Sequence, residues 1–308
     1  MSQEKNQLGS TGFQTTRLGF GAMELAAFAG PEADKQADRL LGTVLDAGIN
    51  LIDTAPDYGV SEQLIGKHLA HRRQEFFLAS KCGCIVGRQA AFKDGKLEHD
   101  FTPANVRAGV EQSLRRMQTD HLDLVQIHSS PSRALIEELG TVEEMRALRD
   151  EGKVRFLGMS SILPELADHI EMGVFDVFQI PYSALQPEHE AVIARAARAG
   201  AGTIIRGGVA RGATAPDHDD EKDHDFWQDF VLARRDLWTR AKLDELLDGL
   251  PPMEFMLRFV LGHPDLHTTI VGTSKPEHLL ANVAVASRGP LPEALRSEAM
   301  RRIAALAG

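Results

Sequence analysis

The amino-acid sequence contains eight short apolar runs, and a longer segment separates each run from the next. The runs occupy residues 17–20, 49–53, 76–81, 122–128, 154–160, 177–182, 203–206 and 268–272. Runs of this length predict buried strands, whereas apolar residues that recur every three or four positions in the longer segments predict helices. Eight strand–helix units in 308 residues therefore predict an α/β fold, a (β/α)8 TIM barrel of parallel strands.

The helical segments carry start and stop signals. Thr102 and Pro103 have the form of an N-cap followed by proline at the first helical position, and the segment that begins at Thr141 has the form of a capping box. The predicted helices are 34–47, 102–117, 141–151, 164–172, 188–199, 252–262, 276–286 and 292–306. We expect the last of these helices to pack on the barrel.

An open, doubly wound sheet is the alternative α/β architecture. It normally places a G-x-G-x-x-G turn after an early strand. Gly19 and Gly21 form the only early candidate, and the third glycine is missing at the required spacing. The barrel is therefore favoured, as one domain over residues 1–308. It carries an N-terminal β-hairpin around residues 8–13 and a long loop, residues 207–236, after strand seven.

The charge balance restricts the class of partner. The chain has 34 Lys and Arg against 44 Asp and Glu, a formal net charge of −10, which disfavours nucleic acid and anionic membrane surfaces. The polar N-terminus and the short apolar runs predict neither a signal peptide nor a transmembrane helix. Cys82 and Cys84 lie too close in sequence for an easy disulfide and are too few for a cysteine-based zinc site. We therefore expect a cytoplasmic protein with reduced thiols.

Ionisable residues end three successive predicted strands. Asp53 ends the second strand, Lys81 the third and His128 the fourth. The C-terminal ends of barrel strands meet at one rim, where barrel enzymes place their chemistry. The chain has only two tyrosines, Tyr58 and Tyr182, and both follow strands at this rim. This clustering predicts a functional site at the rim.

These positions lie in motifs that resemble those of the aldo-keto reductase family. DTAPDYG begins at Asp53, SK ends at Lys81, DHLDLVQIH ends at His128 and GKVRFLGMSS ends at Ser161. QIPYS and VGTSKPEHL follow in the order typical of the family, and the resemblance covers residues 8–286. It implies a (β/α)8 barrel oxidoreductase that interconverts a carbonyl compound and an alcohol.

The resemblance implies a catalytic set of four residues. They are Asp53, Tyr58, Lys81 and His128. Hydride attack on a carbonyl carbon builds negative charge on the oxygen, which a proton donor must neutralise. Tyr58 is the implied donor, and the Lys81 ammonium is expected to lower its pKa from about 10. Asp53 is expected to hold Lys81 in place, and His128 to orient the substrate carbonyl.

A nicotinamide cofactor is also implied by the resemblance. The residues implied around the nicotinamide are Ser160, Ser161 and Gln179, which bond its carboxamide, and Tyr182, which stacks on its ring. Arg206 and the backbone of Gly207 and Gly208 are expected near the pyrophosphate, because glycine permits close approach. A helix N-terminus favours phosphate at the adenosine end. The residues implied there are Gly272, Thr273, Ser274, Lys275, His278 and Asn282.

The chain departs from the family's pattern near both ligand sites. His278 stands where the family often has an arginine that contacts the 2′-phosphate of NADP, and histidine is mostly neutral at pH 7. We expect Lys275 to compensate, so NADP(H) is the predicted cofactor and dual use with NAD(H) is the alternative. Ser129, after the catalytic histidine, and Gly207, after strand seven, also depart from the pattern. The carbonyl or alcohol substrate is therefore not identified, and neither is the oligomeric state.

Other interpretations stay open beside this one. An NADPH-binding regulatory or sensor subunit with little turnover is the alternative function, and the intact set of four residues argues against it. A metal-dependent hydrolase lacks a His-x-His pair at the end of strand one. The 207–236 segment contains four residues of types that can bind metals: His218, Asp219, Asp220 and His224. We expect them to form part of a lid over the cofactor and not a metal site. The aromatic residues that fit either pocket lining or ordinary packing are Phe28, Trp227 and Trp238.

Overall fold

The barrel strands pair in sequence order and close into a ring. The structure, a computed structural model, describes residues 4–87, 92–93, 96–215 and 225–307. Every neighbouring pair in the ring is parallel. The strands, labelled β1 to β8, are Leu18–Gly21, Leu51–Asp53, Phe77–Cys82, Leu122–Ile127, Val154–Ser160, Val177–Pro181, Gly202–Arg206 and Thr268–Val271. The predicted (β/α)8 barrel is confirmed.

Helices surround this ring. Labelled α1 to α11, they are Ala33–Asp46, Ser61–Leu69, Pro103–Met117, Arg133–Leu139, Thr141–Asp150, Glu165–Glu171, Glu190–Arg198, Asp225–Arg240, Pro252–Leu261, Pro276–Ala286 and Glu293–Ala307. Helices α2, α4 and α8 were not predicted from the sequence. Among the described residues, no helix combines the length and the apolar composition that a membrane span needs.

The N-terminal hairpin closes the bottom of the barrel. Its strands, Lys5–Gln7 and Gln14–Thr16, pair antiparallel, which confirms the predicted hairpin. Leu8 lies in the turn and is fully buried, in one apolar cluster with Leu51 and Phe77 from the starts of β2 and β3. The barrel is thus plugged by apolar side chains at this end.

Side-chain alternation divides the barrel interior into two levels. Residues two apart on a strand point to the same side, so Leu51 and Asp53 on β2 share the interior face. The same parity pairs Leu124 with Gln126 on β4. The first member of each pair lies in the apolar cluster, and the second lies one level nearer the ends of the strands. The sequence therefore builds an apolar floor beneath a polar layer.

The segment after β7 differs from the predicted long loop. Within 207–236, the described residues form a 3₁₀ turn at Ala210–Gly212 and most of α8, Asp225–Arg240. Trp238 on α8 is buried, packs edge-on against Phe255 at 5.9 Å between ring centroids, and donates to Asp244 Oδ1 at 2.8 Å. Burial of this apolar face explains why the segment forms a helix there.

Candidate active site

The carboxylate of Asp53 is the centre of the polar layer. It accepts hydrogen bonds from Lys81 Nζ at 2.7 Å, Gln126 Nε2 at 2.8 Å and Gln179 Nε2 at 2.8 Å. These donors lie on β3, β4 and β6, so the contacts cross the barrel interior. Asp53 is only 2% exposed, and a charge buried to that extent requires such partners. The barrel core therefore fixes this carboxylate in one position.

Lys81 is a fully buried cation beside Asp53. Its Nζ donates to the backbone oxygen of Thr54 at 2.9 Å as well as to the carboxylate. Burial acts to lower the pKa of Lys81, but the charge of Asp53 and its hydrogen bond, together with the electrostatic influence of Tyr58, outweigh it, so the pKa is raised. Lys81 consequently stays protonated throughout the neutral range.

Tyr58 lies above this ion pair, in the loop between β2 and α2. The Nζ of Lys81 is 5.0 Å from the centroid of the Tyr58 ring. Burial raises the pKa of Tyr58, whereas Lys81 and Arg206 act to lower it. The predicted influence of Lys81 is present, but the predicted net lowering of the pKa is wrong for the protein alone, because burial outweighs the two cations.

His128 completes the group at the end of β4. Its ring lies edge-on to the ring of Tyr58, with 6.1 Å between the centroids. Burial lowers the pKa of His128 to about 4, against the influence of Asp57. The imidazole is therefore neutral near pH 7 and carries one N–H, which makes it a hydrogen-bond donor without a charge. The structure thus brings together all four residues of the predicted catalytic set.

Gln126 belongs to this layer and was missed by the sequence analysis. It is a fully buried polar residue in an otherwise apolar strand end, which is the signal that identifies it. Gly158 on β5 makes room for it, because a Cβ at that position would lie 2.9 Å from Gln126 Cγ. A second amide thereby reaches Asp53.

The predicted carboxamide ligands lie at the ends of β5 and β6 and have protein partners. The hydroxyl of Ser160 donates to Gln179 Oε1 at 3.4 Å, and the Gln179 amide donates to Asp53. Ser161 Oγ lies 2.9 Å from His169 Nδ1. Because His169 Nε2 faces the carbonyl of Pro131 at 2.8 Å and must donate to it, Nδ1 accepts from Ser161. Their role toward a cofactor remains a prediction.

Tyr182 does not lie where ring stacking on a cofactor requires it. The residue has no exposed surface, and its ring packs against Phe259 and His263. Its hydroxyl donates to Glu190 Oε2 and accepts from Arg296 Nη2 at 2.8 Å. A ring enclosed on all sides has no face to offer a cofactor, so the expected role of Tyr182 is wrong for this conformation. Sequence reasoning recognised that Tyr182 follows β6 but missed the enclosing helices.

Arg206 ends β7 on the same side as the polar layer. Burial lowers its pKa, and Tyr58 and Asp53 act to raise it, which places the guanidinium in the field of both residues. Among the residues that the structure describes, no carboxylate lies within ion-pair distance of it. Gly207 follows with φ +70°, a backbone conformation that favours glycine. The predicted Arg206–glycine pair therefore lies at the mouth of the barrel.

The predicted adenosine site forms an exposed helix end. Lys275 precedes α10, with residues 272–275 leading into the first turn. The hydroxyl of Thr273 accepts from the Lys275 backbone N–H at 3.1 Å and so orders this loop. Lys275 and His278 are exposed, Asn282 is half-buried, and their spacing places all three on one face of α10. This arrangement agrees with the predicted contacts, which nevertheless remain a prediction.

Other predicted candidates contribute less. His218, Asp219, Asp220 and His224 lie outside the described residues, and so does the side chain of Trp227. Trp238 on α8 packs against Phe255, and Phe28 is partly buried against the main core, so packing is the interpretation that their contacts favour.

Comparison with known proteins places this site in a family. The model of the Aldo/keto reductase family matches residues 17–305. A Bacillus subtilis (strain 168) protein named "Uncharacterized oxidoreductase YqkF" is 28% identical over 307 residues, covering 94% of this chain and 93% of that protein. The "NADH-specific methylglyoxal reductase" of Escherichia coli (strain K12) is 26% identical over 319 aligned positions, covering 91% and 93%.

Solved structures agree. Aldo-keto reductase AKR11C1 from Bacillus halodurans, in its holo form, superposes with a TM-score of 0.81 and 30% identity, covering 97% of this chain and 96% of that one. Family membership implies an NAD(P)-dependent oxidoreductase that acts on small-molecule carbonyl compounds. The barrel, the polar layer at its mouth and these matches lead to one conclusion: the chain belongs to the aldo-keto reductase family.

Proposed function

We propose that this protein is an NADP(H)-dependent reductase that interconverts an aldehyde or ketone and the corresponding alcohol, with Tyr58 as the proton donor. The observation that carries the proposal is the fully buried Lys81–Asp53 ion pair, 2.7 Å between Nζ and Oδ2, beneath the ring of Tyr58. A buried ion pair is weak support for stability in itself, because desolvation offsets much of its attraction. Its position under a tyrosine at the barrel mouth indicates a chemical role.

The residues at the barrel mouth fit a nicotinamide cofactor. Such a cofactor, when bound, supplies or accepts the hydride. The positively polarised N-terminus of α10, together with exposed Lys275, would hold its phosphate end. Arg206 and the glycine after it would hold the pyrophosphate, and Ser160, Ser161 and Gln179 would hold the carboxamide.

Tyr58 supplies the proton that the carbonyl oxygen needs. Because burial raises its pKa, the hydroxyl is protonated at neutral pH, and the nearby cations Lys81 and Arg206 oppose that rise and so favour transfer of the proton. When that proton leaves, Lys81 stabilises the phenolate, and each unit of pKa is worth about 1.4 kcal/mol. Asp53 keeps Lys81 charged and in place. The cation is therefore already oriented in the folded protein and does not have to be reoriented in each catalytic cycle.

His128 orients the substrate. A neutral imidazole with one N–H donates a hydrogen bond to the carbonyl oxygen without competing with Tyr58 as an acid. Its edge-on position beside Tyr58 directs both groups to one region of the mouth. The substrate oxygen would be bound between these two donors.

The preference for NADP(H) over NAD(H) depends on charge at α10. Lys275 is the cation that would contact a 2′-phosphate, while Glu277 in the same first turn acts against it. One relative is named as NADH-specific, so dual use is the alternative that experiment must distinguish. Two free, buried cysteines support a reducing, cytoplasmic location as part of the same proposal.

The experiment is a calorimetric titration of the purified protein with NADPH and, in parallel, NADH, followed by a screen of aldehydes and ketones for NADPH oxidation. We expect saturable binding of NADPH that is at least about tenfold tighter than that of NADH, and turnover with at least one carbonyl class. Binding without any carbonyl-dependent turnover would favour the regulatory alternative. Binding of neither cofactor would overturn the proposal.

A further inference from the structure

Four side chains with metal-ligand chemistry converge beside the predicted active site. They are Asp57, Cys84, His99 and His128, and their ligand atoms all lie within 4.8 Å of one another. Asp57 lies in the loop after β2, and Cys84 lies in the loop after β3. His99 lies in a later segment whose backbone forms a bridge with that of Cys84, and His128 follows the end of β4. Separate parts of the rim therefore place these atoms together.

The distances between these atoms are those of a tetrahedral metal site. His128 Nδ1 lies 3.3 Å from Cys84 Sγ and 3.5 Å from Asp57 Oδ2, and Asp57 Oδ2 lies 3.4 Å from His99 Nε2. Zinc bound tetrahedrally at 2.0–2.3 Å separates its ligand atoms by about 3.3–3.7 Å. The three measured separations fall in that interval. The remaining ones are at most 4.8 Å, so the cluster would contract around the ion on binding.

Two of the ligand atoms are buried without a hydrogen-bond partner. Among the described residues, neither Asp57 Oδ2 nor His99 Nε2 has one, although the side chains are only 8% and 3% exposed. Unsatisfied polar atoms at that depth are costly and rare in native proteins. Both atoms face the centre of the cluster, which makes that centre the place where a partner is missing.

The tautomer of His99 indicates what that partner is. Its Nδ1 lies 2.9 Å from the carbonyl oxygen of Leu97, which can only accept, so Nδ1 carries the hydrogen. Nε2 then presents a lone pair toward the Asp57 carboxylate, and two electron-pair donors face each other. A cation between them resolves this contact. Donation of the second ring nitrogen to a backbone carbonyl is also the usual arrangement of a metal-binding histidine.

We propose that Asp57, Cys84, His99 and His128 bind one Zn²⁺ ion at the barrel rim. The four-ligand set of one carboxylate, one thiolate and two imidazoles matches the coordination number and donor types that zinc takes in closed sites. Two anionic ligands balance the charge of the ion. The sequence analysis expected no metal site, because these ligands lie far apart in sequence and form no cysteine motif.

Binding is coupled to the loss of one proton. Cysteine binds zinc as a thiolate, so the Cys84 thiol must give up its proton when the ion enters. Zn²⁺ displaces that proton, the S–H bond breaks, a Zn–S bond forms, and the proton passes to solvent. No electron is transferred, and no further reactant is needed.

The ion would act on catalysis through His128, a consequence that rests on the proposed function. With Nδ1 bound to metal, the imidazole is fixed as the tautomer that carries its hydrogen on Nε2, the donor that a carbonyl oxygen needs. Asp57 is adjacent in sequence to Tyr58, so the same ion also fixes the loop of the proton donor. Asp57, Cys84 and His99 are positioning residues in this account.

The test uses the full chain, treated with a chelator and then titrated with Co²⁺ and Zn²⁺. We expect one Co²⁺ per chain, with a thiolate-to-cobalt charge-transfer band and tetrahedral ligand-field bands, and displacement of cobalt by Zn²⁺. Cys84→Ser is expected to remove the charge-transfer band and to weaken Co²⁺ binding about 100-fold or more. Cys82→Ser is the matched control, because Cys82 is equally buried but does not contribute to the cluster, and it should retain the band.

Several results would overturn the proposal. Absence of stoichiometric metal binding to the wild-type chain is one, and it does not depend on whether any variant folds. Persistence of the band in Cys84→Ser, or its loss in a folded Cys82→Ser, is another. Doubly protonated His99 in the nitrogen NMR spectrum of metal-treated protein would identify an Asp57–His99 ion pair instead. Cofactor binding, measured separately by calorimetry with and without metal, tests the proposed function independently.

Discussion

The ammonium of Lys81 lies 5.0 Å from the centre of the Tyr58 ring. Since Lys81 is fully buried and bonded to the Asp53 carboxylate, its charge cannot be screened by water and acts directly on the phenol. Burial by itself raises the pKa of Tyr58, and the cation acts in the opposite direction, which favours release of the proton in the role proposed for Tyr58. The barrel thereby keeps the Tyr58 hydroxyl protonated at neutral pH, with a cation close enough to stabilise its phenolate.

Substitution of Lys81 tests the ion pair. Lys81→Met leaves the Asp53 carboxylate buried without its main counter-charge, although two amides still donate to it. We expect a loss of roughly 3–5 kcal/mol in the free energy of unfolding, together with loss of turnover. Urea unfolding and an NADPH oxidation assay measure the two effects separately.

The double variant separates stability from catalysis. Lys81→Met with Asp53→Asn removes both charges, so the free energy of unfolding is expected to recover part of the loss, while turnover stays absent. Strictly additive losses in stability would show that the two side chains are not coupled, contrary to the 2.7 Å contact.

Substitution of Lys275 tests the cofactor preference. Lys275→Met removes the exposed cation before α10 and is expected to weaken NADPH binding about tenfold, with NADH binding nearly unchanged. Calorimetry with both cofactors provides the comparison. Lys35→Met, an equal change of charge on an exposed part of α1, is the control and should alter neither. Equal losses for the two cofactors would remove Lys275 from the 2′-phosphate site.

One buried and one half-buried histidine predict how stability depends on pH. His189 Nε2 accepts the Leu163 N–H at 3.2 Å, and His267 Nδ1 accepts the Thr203 N–H at 3.1 Å. Burial lowers the pKa of both rings. As the pH is lowered, these histidines bind protons near pH 6.5 in the unfolded chain but only at a lower pH in the folded protein. The free energy of unfolding is therefore highest above pH 6.5 and falls as the pH drops toward the pKa values of the folded protein.

Urea unfolding at pH 7.5 and pH 5.5 measures this dependence. His267→Asn keeps an acceptor for the Thr203 N–H but cannot titrate in this range, so its stability should change less with pH than that of the wild-type protein. An identical pH dependence in the two proteins would contradict the role assigned to His267.

The positions of the strands were predictable, because each barrel strand is a short apolar run whose interior face repeats every second residue. The position of Asp53, Lys81 and His128 at the barrel mouth was predictable for the same reason, since each stands at the end of such a run. Helix α8 was missed because the burial of its Val231 and Trp238 depends on tertiary packing, and local sequence carries little of that information.

Other parts of the site depend on contacts between distant segments. Tyr182 is enclosed by Phe259 and Arg296, which lie far from it in sequence. Its position directly after β6 therefore suggested an exposed ring, whereas the ring is buried. The cluster of Asp57, Cys84 and His99 likewise exists only in three dimensions. The pKa of Tyr58 reflects burial, which sequence spacing does not measure.

The central claim is that Tyr58 donates the proton, and the most direct measurement compares Tyr58→Phe with Tyr182→Phe in carbonyl-dependent NADPH oxidation, with cofactor binding measured alongside. Each variant loses one phenolic hydroxyl, and the chain has no other tyrosine. We predict that Tyr58→Phe binds NADPH normally but loses about 10²- to 10⁴-fold in kcat, and that Tyr182→Phe loses some stability while keeping turnover. Turnover by Tyr58→Phe at the wild-type rate would contradict the account.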